Sequence, residues 1–572
     1  MTYLNNKAVK KNTFDVIVIG SGISGGWAAK EFCDHGLKTL VLERGKDVKH
    51  VVDYPTAMME PWEFEHLGQV PKKLKDESPI ASKTYIYKED SKHFIVKDKE
   101  HPYIQEKPFD WIRGYQVGGK SLLWARGTQR WSKYDFEGPA RDGFDVHWPI
   151  GYDDLAPWYS HVEIFAGISG NKDGLDSLPD GEFLKPHEQT CVEKHFTQKM
   201  KEHYHGKRPV IIGRCAHLTD PQPIHYEQGR GQCQHRNLCQ RGCPYGGYFS
   251  SNASTLPWAQ RTGNLTLRPN SVVHSIIYDE KTGKASGVNV VDSVTKKERK
   301  FYAKVIFLNA STINTNLILL NSKSSRFPNG IGNDNEQMGK YIHFHSFITG
   351  MSAEYDGMLD SKTDGTRPNG SYIPRFRNVK EQETDFLRGY AAGFSANRSP
   401  LTNSEGLGME LKNNLNKTEY GNWHVGSHFM GETVPKETNY VKLDDTQIDD
   451  WGVPLLRVNV ELDDNDMKMA KDYEEQMTEM LTVAGFKNIK ANRKTTWNPG
   501  LDIHEMGGVV MGTDAKNSLL NKWNQLHHCK NVFVTDGACM TSNSTQNPSL
   551  TYMALTARAA NYAVEELKKG NL

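Results

Sequence analysis

The run DVIVIG, residues 15–20, is short, apolar and rich in β-branched side chains, the pattern of a buried strand. GGWAAKEFCDHG (25–36) reads as a helix stopped by Gly36, and KTLVLE (38–43) as the next strand. The same alternation returns in AKVIFLNASTINTNLILLNS (303–322), a strand, turn and helix, and in 250–279, a helix followed by strands. NYVKLDD (439–445) and PLLRVNVEL (454–462) alternate apolar with polar and predict an antiparallel sheet roofing a ligand site. Two stretches, 360–370 and 395–422, are polar, turn-rich and longer than ordinary connections; a lid over a substrate cleft is expected, with plain surface insertions as the alternative. No internal repeat is evident.

The first strand and helix are joined by G-x-G-x-x-G on Gly20, Gly22 and Gly25. Gly20 permits the tight turn, Gly22 lets a pyrophosphate approach the backbone, and Gly25 allows close helix–strand packing. The helix N-terminus then offers unpaired N–H groups to phosphate. Glu43 ends the second strand 18 residues past Gly25, where a carboxylate can accept from a ribose hydroxyl. Strand, turn, helix, strand and acid in register mark a dinucleotide site, without separating FAD from NAD.

Composition narrows the partners. At 572 residues the chain needs two or more substructures. Lys and Arg total 70 against 69 Asp and Glu, so neither nucleic acid nor an anionic membrane is implied. No apolar run reaches the roughly 18 residues of a membrane span. The N-terminus has no apolar stretch before the first strand, so no signal peptide is expected and the chain alone reads as cytoplasmic. Eight cysteines in this length do not form a disulfide framework.

The segments GYQVGGKSLLWARGTQRW (114–131), DIHEMGGVVMGTD (502–514) and 531–567 resemble the glucose–methanol–choline (GMC) oxidoreductases, which oxidise alcohols with FAD. The resemblance covers essentially the whole chain. It implies an α/β fold with a Rossmann-like FAD-binding domain (1–135, 225–338 and 496–572) and a discontinuous substrate domain on an antiparallel sheet (136–224 and 339–495). It places Gly118, Gly119, Ser121 and Trp124 along the flavin, brings Asp536 and Gly537 back to it, and makes His504 and Asn547 the catalytic pair. The Asn looks most like the pyranose-oxidising branch. A neutral imidazole can take a hydroxyl proton while hydride leaves the same carbon, and an amide can hold that hydroxyl without charge. His343, His345, His527 and His528 are the alternative histidines. Some relatives carry a flavin-linking His where this chain has Leu123, so FAD is expected to be non-covalent here.

Cys233, Cys239 and Cys243 form C-x5-C-x3-C-P. Three thiols cannot pair off as disulfides. The spacing resembles the segment that holds a three-iron, four-sulfur (3Fe-4S) cluster in bacterial sugar dehydrogenases of the glycoside 3-dehydrogenase and gluconate 2-dehydrogenase type. Zinc with His235 is the rival, and Cys215 is the nearest spare thiol. A cluster beside FAD implies a dehydrogenase acting on a sugar or glycoside, lead C3 hydroxyl, and passing single electrons to a cytochrome c-type acceptor. A gluconate 2-dehydrogenase-like sugar-acid dehydrogenase, an oxygen-using pyranose oxidase, an NAD-linked reductase and a non-catalytic flavoprotein are the other readings. The resemblance also implies a periplasmic complex, the folded chain being carried out by a small escort subunit with a twin-arginine signal.

Overall fold

The computed structural model describes residues 12–362, 369–401, 403–417 and 419–572; parts of both expected lid segments, 363–368, 402 and 418, lie outside them. The strand Thr13–Ile19 forms from DVIVIG, with Val16, Ile17 and Val18 fully buried. It sits near the middle of a seven-stranded sheet in the order Leu265–Arg268, Thr39–Leu42, Thr13–Ile19, Glu298–Leu308, Lys284–Asp292, Ser271–Asp279, with Val532–Val534 beside Glu298–Leu308. The pairings are parallel from Leu265–Arg268 across to Glu298–Leu308 and on to Val532–Val534, then antiparallel. Such a sheet is buried on both faces, hence its continuous apolar runs.

The helix Ile23–Asp34 covers one face, packed against the C-terminal helix Ser549–Lys568, and ends at Gly36 with φ +77°. The helix Thr312–Leu320 follows Glu298–Leu308, as the sequence pattern predicts. Among the described residues, no helix is long and apolar enough to cross a membrane.

A second seven-stranded sheet is antiparallel throughout, in the order Lys487–Ala491, Gly350–Tyr355, Trp423–Glu432, Tyr390–Asn397, Ser371–Ile373, Ile211–Ile212, with His345–Ser346 on Trp423–Glu432. Its strands all fall within 136–224 and 339–495. The stretches 439–445 and 454–462 do pair antiparallel, as Tyr440–Ile448 with Pro454–Asn459, but not in this sheet. They form a separate three-stranded sheet whose third strand, Ile104–Gln105, comes from the N-terminal part of the chain. Alternation specifies one buried face per strand; it does not choose the neighbour.

The two polar segments are tied to each other. Arg398 donates to the carbonyls of Leu359 and Ser361 and to those of Tyr420 and Gly421. None of their described residues lines the large cleft of the molecule.

Candidate active site

That cleft opens at the carboxyl ends of Thr13–Ile19 and Thr39–Leu42 and encloses about 1750 Å³ counted to its open mouth. Gly20, Gly22, Glu43, Gly119, Ser121, Trp124, Asp536, Gly537, His504 and Asn547 all line it. Gly25 and Gly118 stand just behind.

The three fingerprint glycines divide the work as their spacing implies. Gly20 has φ +96°, and a Cβ there would lie 2.3 Å from the Asn309 carbonyl oxygen. A Cβ on Gly25 would lie 2.0 Å from the Gly20 oxygen. A Cβ on Gly22, by contrast, would meet nothing within 4 Å, so that side of its backbone faces open cleft. No side chain caps the helix that starts at Ile23, and no acid sits in its first turn. Its free N–H groups therefore face a site suited to phosphate. Gly119 closes on Gly22 from the other side, its Cβ position 3.3 Å from the Gly22 Cα.

Glu43 is buried and accepts from the Ser21 N–H (3.1 Å) and Oγ–H (2.6 Å) and from the Gly45 N–H (2.9 Å). Burial pushes its pKa up. Oε2 takes both Ser21 bonds and Oε1 only the one from Gly45, so Oε1 keeps a lone pair for a ligand hydroxyl. Ser121 holds its own turn, donating to the Gly118 oxygen at 2.6 Å, and Trp124 Nε1–H donates to the Phe249 oxygen at 2.9 Å. Asp536 accepts from Thr315 Oγ1–H at 2.5 Å and from the Ala538 N–H at 3.0 Å, and burial raises its carboxyl to about 6.

At the other end, Asn547 Nδ2 lies 3.4 Å from His504 Nε2, both at the cleft surface. Burial, then His345 and Lys120, hold the His504 pKa well below the ordinary imidazole value. Asp502 accepts the backbone N–H groups of His504 (3.1 Å) and His345 (3.2 Å). Burial, reinforced by Glu505, pushes its pKa to about 7. Ile503, between them, has φ +64°, an outlier for a β-branched residue and one of three non-glycine left-handed residues lining the cleft, with Arg126 and Ser311. Of the alternative histidines, His345 reaches this group, with Nδ1 3.0 Å from His504 Nδ1. His343 turns to the Tyr341 oxygen, His527 to Ser518 and His528 to Asp334.

Asp502, Lys120, Arg126 and Tyr552 also line the cleft and were not singled out by the sequence; their signal was their place inside the three segments 114–131, 502–514 and 531–567.

Cys233, Cys239 and Cys243 line a second, smaller pocket together with His217 and Tyr248. The Gly247 N–H points at Cys243 Sγ (3.3 Å), and His217 Nε2 lies 3.8 Å from Cys239 Sγ. Buried behind it, His187, Cys215 and His217 bring ligand atoms within 4.8 Å of one another. Arg126 and Arg230 are buried, and Arg126 Nε and Nη1 and Arg230 Nη2 have no hydrogen-bond partner among the described residues. Unpaired buried guanidinium groups beside three thiols favour an anionic occupant. The two pockets adjoin: the Tyr248 hydroxyl donates to the Leu122 oxygen at 2.8 Å, and Arg126, lining the cleft, lies 5.1 Å over the Tyr248 ring.

Comparison with known proteins decides the family. The model of the GMC oxidoreductase N-terminal region matches residues 15–347 and that of the C-terminal region matches 435–556. The chain belongs to the GMC oxidoreductase family. It is similar to 2-methyl-1,2-propanediol dehydrogenase of Mycolicibacterium austroafricanum, 27% identical over 96% of this chain and 94% of that one. It is also similar to the fructose dehydrogenase large subunit of Gluconobacter japonicus, 25% identical over 97% and 98%. The gluconate 2-dehydrogenase flavoprotein of Pantoea cypripedii is 24% identical over 97% and 94%. Among solved structures, pyridoxine 4-oxidase from Mesorbium loti shares the fold, with TM-score 0.58 at 14% identity over 96% of this chain and 99% of that one.

As a GMC oxidoreductase the chain uses FAD, and the cleft fits it. The open face of Gly22, the uncapped helix and the Asn309 Oδ1 and Tyr552 hydroxyl atoms, which have no hydrogen-bond partner among the described residues, are what an extended polar ligand would fill. Leu123 is buried in the wall and has no nucleophilic atom. Acid precipitation of the holoprotein is therefore expected to release all FAD to the supernatant; flavin colour in the pellet would locate a covalent link elsewhere.

Proposed function

We propose that this chain oxidises a secondary alcohol of a sugar or glycoside, with the C3 hydroxyl of a glycoside as lead. The observation that carries the reading is the His504–Asn547 pair at the cleft surface, a base and an uncharged donor side by side. A substrate hydroxyl can accept from Asn547 Nδ2–H and give its proton to His504 Nε2 as the carbon loses hydride. FAD, when bound, accepts that hydride. The relatives named for fructose and gluconate support the sugar class.

We propose further that Cys233, Cys239 and Cys243 hold a 3Fe-4S cluster that supplies a one-electron carrier. The thiol-lined pocket, its amide and guanidinium surroundings and the Tyr248–Leu122 bond toward the cleft support this. The acceptor in this reading is a cytochrome c-type protein docking beside the thiol pocket. Met58, Trp62 and Leu67 are exposed there, on a segment that Arg236 and Arg241 bind to the cysteine loop through the carbonyls of Ala57 and Met59. A relative named as a large subunit supports a multi-subunit complex. In this reading a small escort subunit with a twin-arginine signal carries the folded chain to the periplasm.

Cys239→Ser tests the relay. It should abolish iron binding, the cluster's paramagnetic-resonance signal and reduction of a cytochrome, while sugar still bleaches the flavin. Zinc in place of iron in the native protein, or undiminished cytochrome reduction in the variant, would defeat the relay. Failure of sugars and glycosides alike to bleach the flavin would defeat the substrate class.

A further inference from the structure

We infer that His345 is a positioning residue, which fixes the tautomer of His504 so that the bare nitrogen faces the substrate. This rests on His504 being the base. His345 Nε2 lies 2.5 Å from the backbone oxygen of Ser544. A carbonyl can only accept, so Nε2 carries the proton. Burial holds His345 below the ordinary imidazole value, to about 4, so the ring is neutral and its Nδ1 is a lone pair. That lone pair lies 3.0 Å from His504 Nδ1, which must therefore be the protonated nitrogen of His504. Its Nε2 is then left bare, facing Asn547 Nδ2, a donor. The fixed acceptor at Ser544 sets the tautomer, and the Asn547 amide nitrogen at the other end of the chain of bonds is a donor that matches it.

The rings are held for this. Their planes stand 81° apart with centroids 5.0 Å apart, and the two Nδ1 atoms, one on each ring edge, are at hydrogen-bond distance. Asp502 Oδ2 accepts both backbone N–H groups, of His345 and His504, so one half-buried carboxyl joins two segments 159 residues apart. When His504 takes the substrate proton at Nε2, both its nitrogens carry hydrogen, and the Nδ1–H bond to the neutral His345 strengthens. His345 does for this base, without a net charge, what a carboxylate does behind a catalytic imidazole elsewhere.

His345→Leu and His345→Gln separate positioning from packing. Leu fills space without an acceptor; Gln can accept from His504 Nδ1–H and donate to Ser544. In holoenzyme of equal FAD content, His345→Leu should slow single-turnover flavin bleaching by roughly 10²-fold, against the ~10⁴-fold seen when a triad imidazole adopts the wrong tautomer. The loss should fall in kcat with KM little changed, and His345→Gln should recover about tenfold or more of it. Equal rates in the two variants, or a loss confined to KM, to FAD content or to melting temperature, would overturn the inference. His504→Ala in the same assay keeps the two ideas apart. If it bleaches at the native rate, the base assignment fails; if it is slow while His345→Leu is native, only the positioning role fails.

Discussion

His504→Ala should keep its FAD and lose turnover by about 10²–10⁴-fold, the range for removing a general base. The half-buried imidazole stands at the cleft wall, where its partners are His345 and Asn547 and not the glycine loop, so flavin content should not change. Substrate should still bind, because Asn547 remains. The measurement is the rate of flavin bleaching on mixing with substrate, which isolates the step in which the proton leaves. The native pH profile carries a second signature. Because burial holds His504 well below the ordinary imidazole value of 6.5, the base is already neutral at pH 6.5. Protonation of His504 should therefore cost nothing as pH falls from 7.5 through 6.5; Asp502, raised to about 7 and bonded to the His504 N–H, titrates in that window, and the loss due to the imidazole should come only lower. Near-native turnover in the alanine variant would remove His504 from the mechanism.

Gly25→Ala and Gly22→Ala should both lose FAD, but for different reasons that stability measurements separate. At Gly25 the new methyl would sit 2.0 Å from the Gly20 carbonyl oxygen and 3.3 Å from the Asn309 Cβ. Backbone lies on one side and the helix on the other, so no rotamer relieves it and the helix start must move off the turn. Overpacking of this kind costs about 1–3 kcal/mol, and the displaced N–H groups no longer converge on a phosphate. The variant should melt lower even without flavin, and its FAD affinity should fall at least about tenfold, equivalent to about 1.4 kcal/mol. At Gly22 the methyl meets nothing within 4 Å, so the apoprotein should melt as the native one does. Only FAD affinity should fall, because the methyl occupies the space by which a pyrophosphate approaches. Unchanged flavin affinity in Gly22→Ala would show that phosphate does not pass there. A melting temperature unchanged in Gly25→Ala would show that the helix start relaxes freely.

The sequence by itself determined the dinucleotide half of this protein. A tight turn, an open approach and a close helix–strand contact are backbone demands made within six residues, and each can be met there only by glycine. The Glu43 contacts are local in the same sense, because a strand–helix–strand unit returns its second strand beside the first. Leu123 announced its own chemistry, since it has no atom to offer a flavin. His504 and Asn547 were legible through motifs, but motifs name residues without saying what stands behind them. His345 looked like one of several spare histidines until the backbone bridge of His343 with Met506 brought its segment alongside His504. Which sheet the 439–445 and 454–462 stretches would join was likewise undecided, because alternation fixes a buried face and not a partner. The cysteines were visible as a group, while their place one tyrosine away from the cleft wall depended on a bond between residues 126 positions apart, Tyr248 to Leu122. Contacts of that span are set by which faces bury together, a property of the whole core that no local stretch of sequence contains.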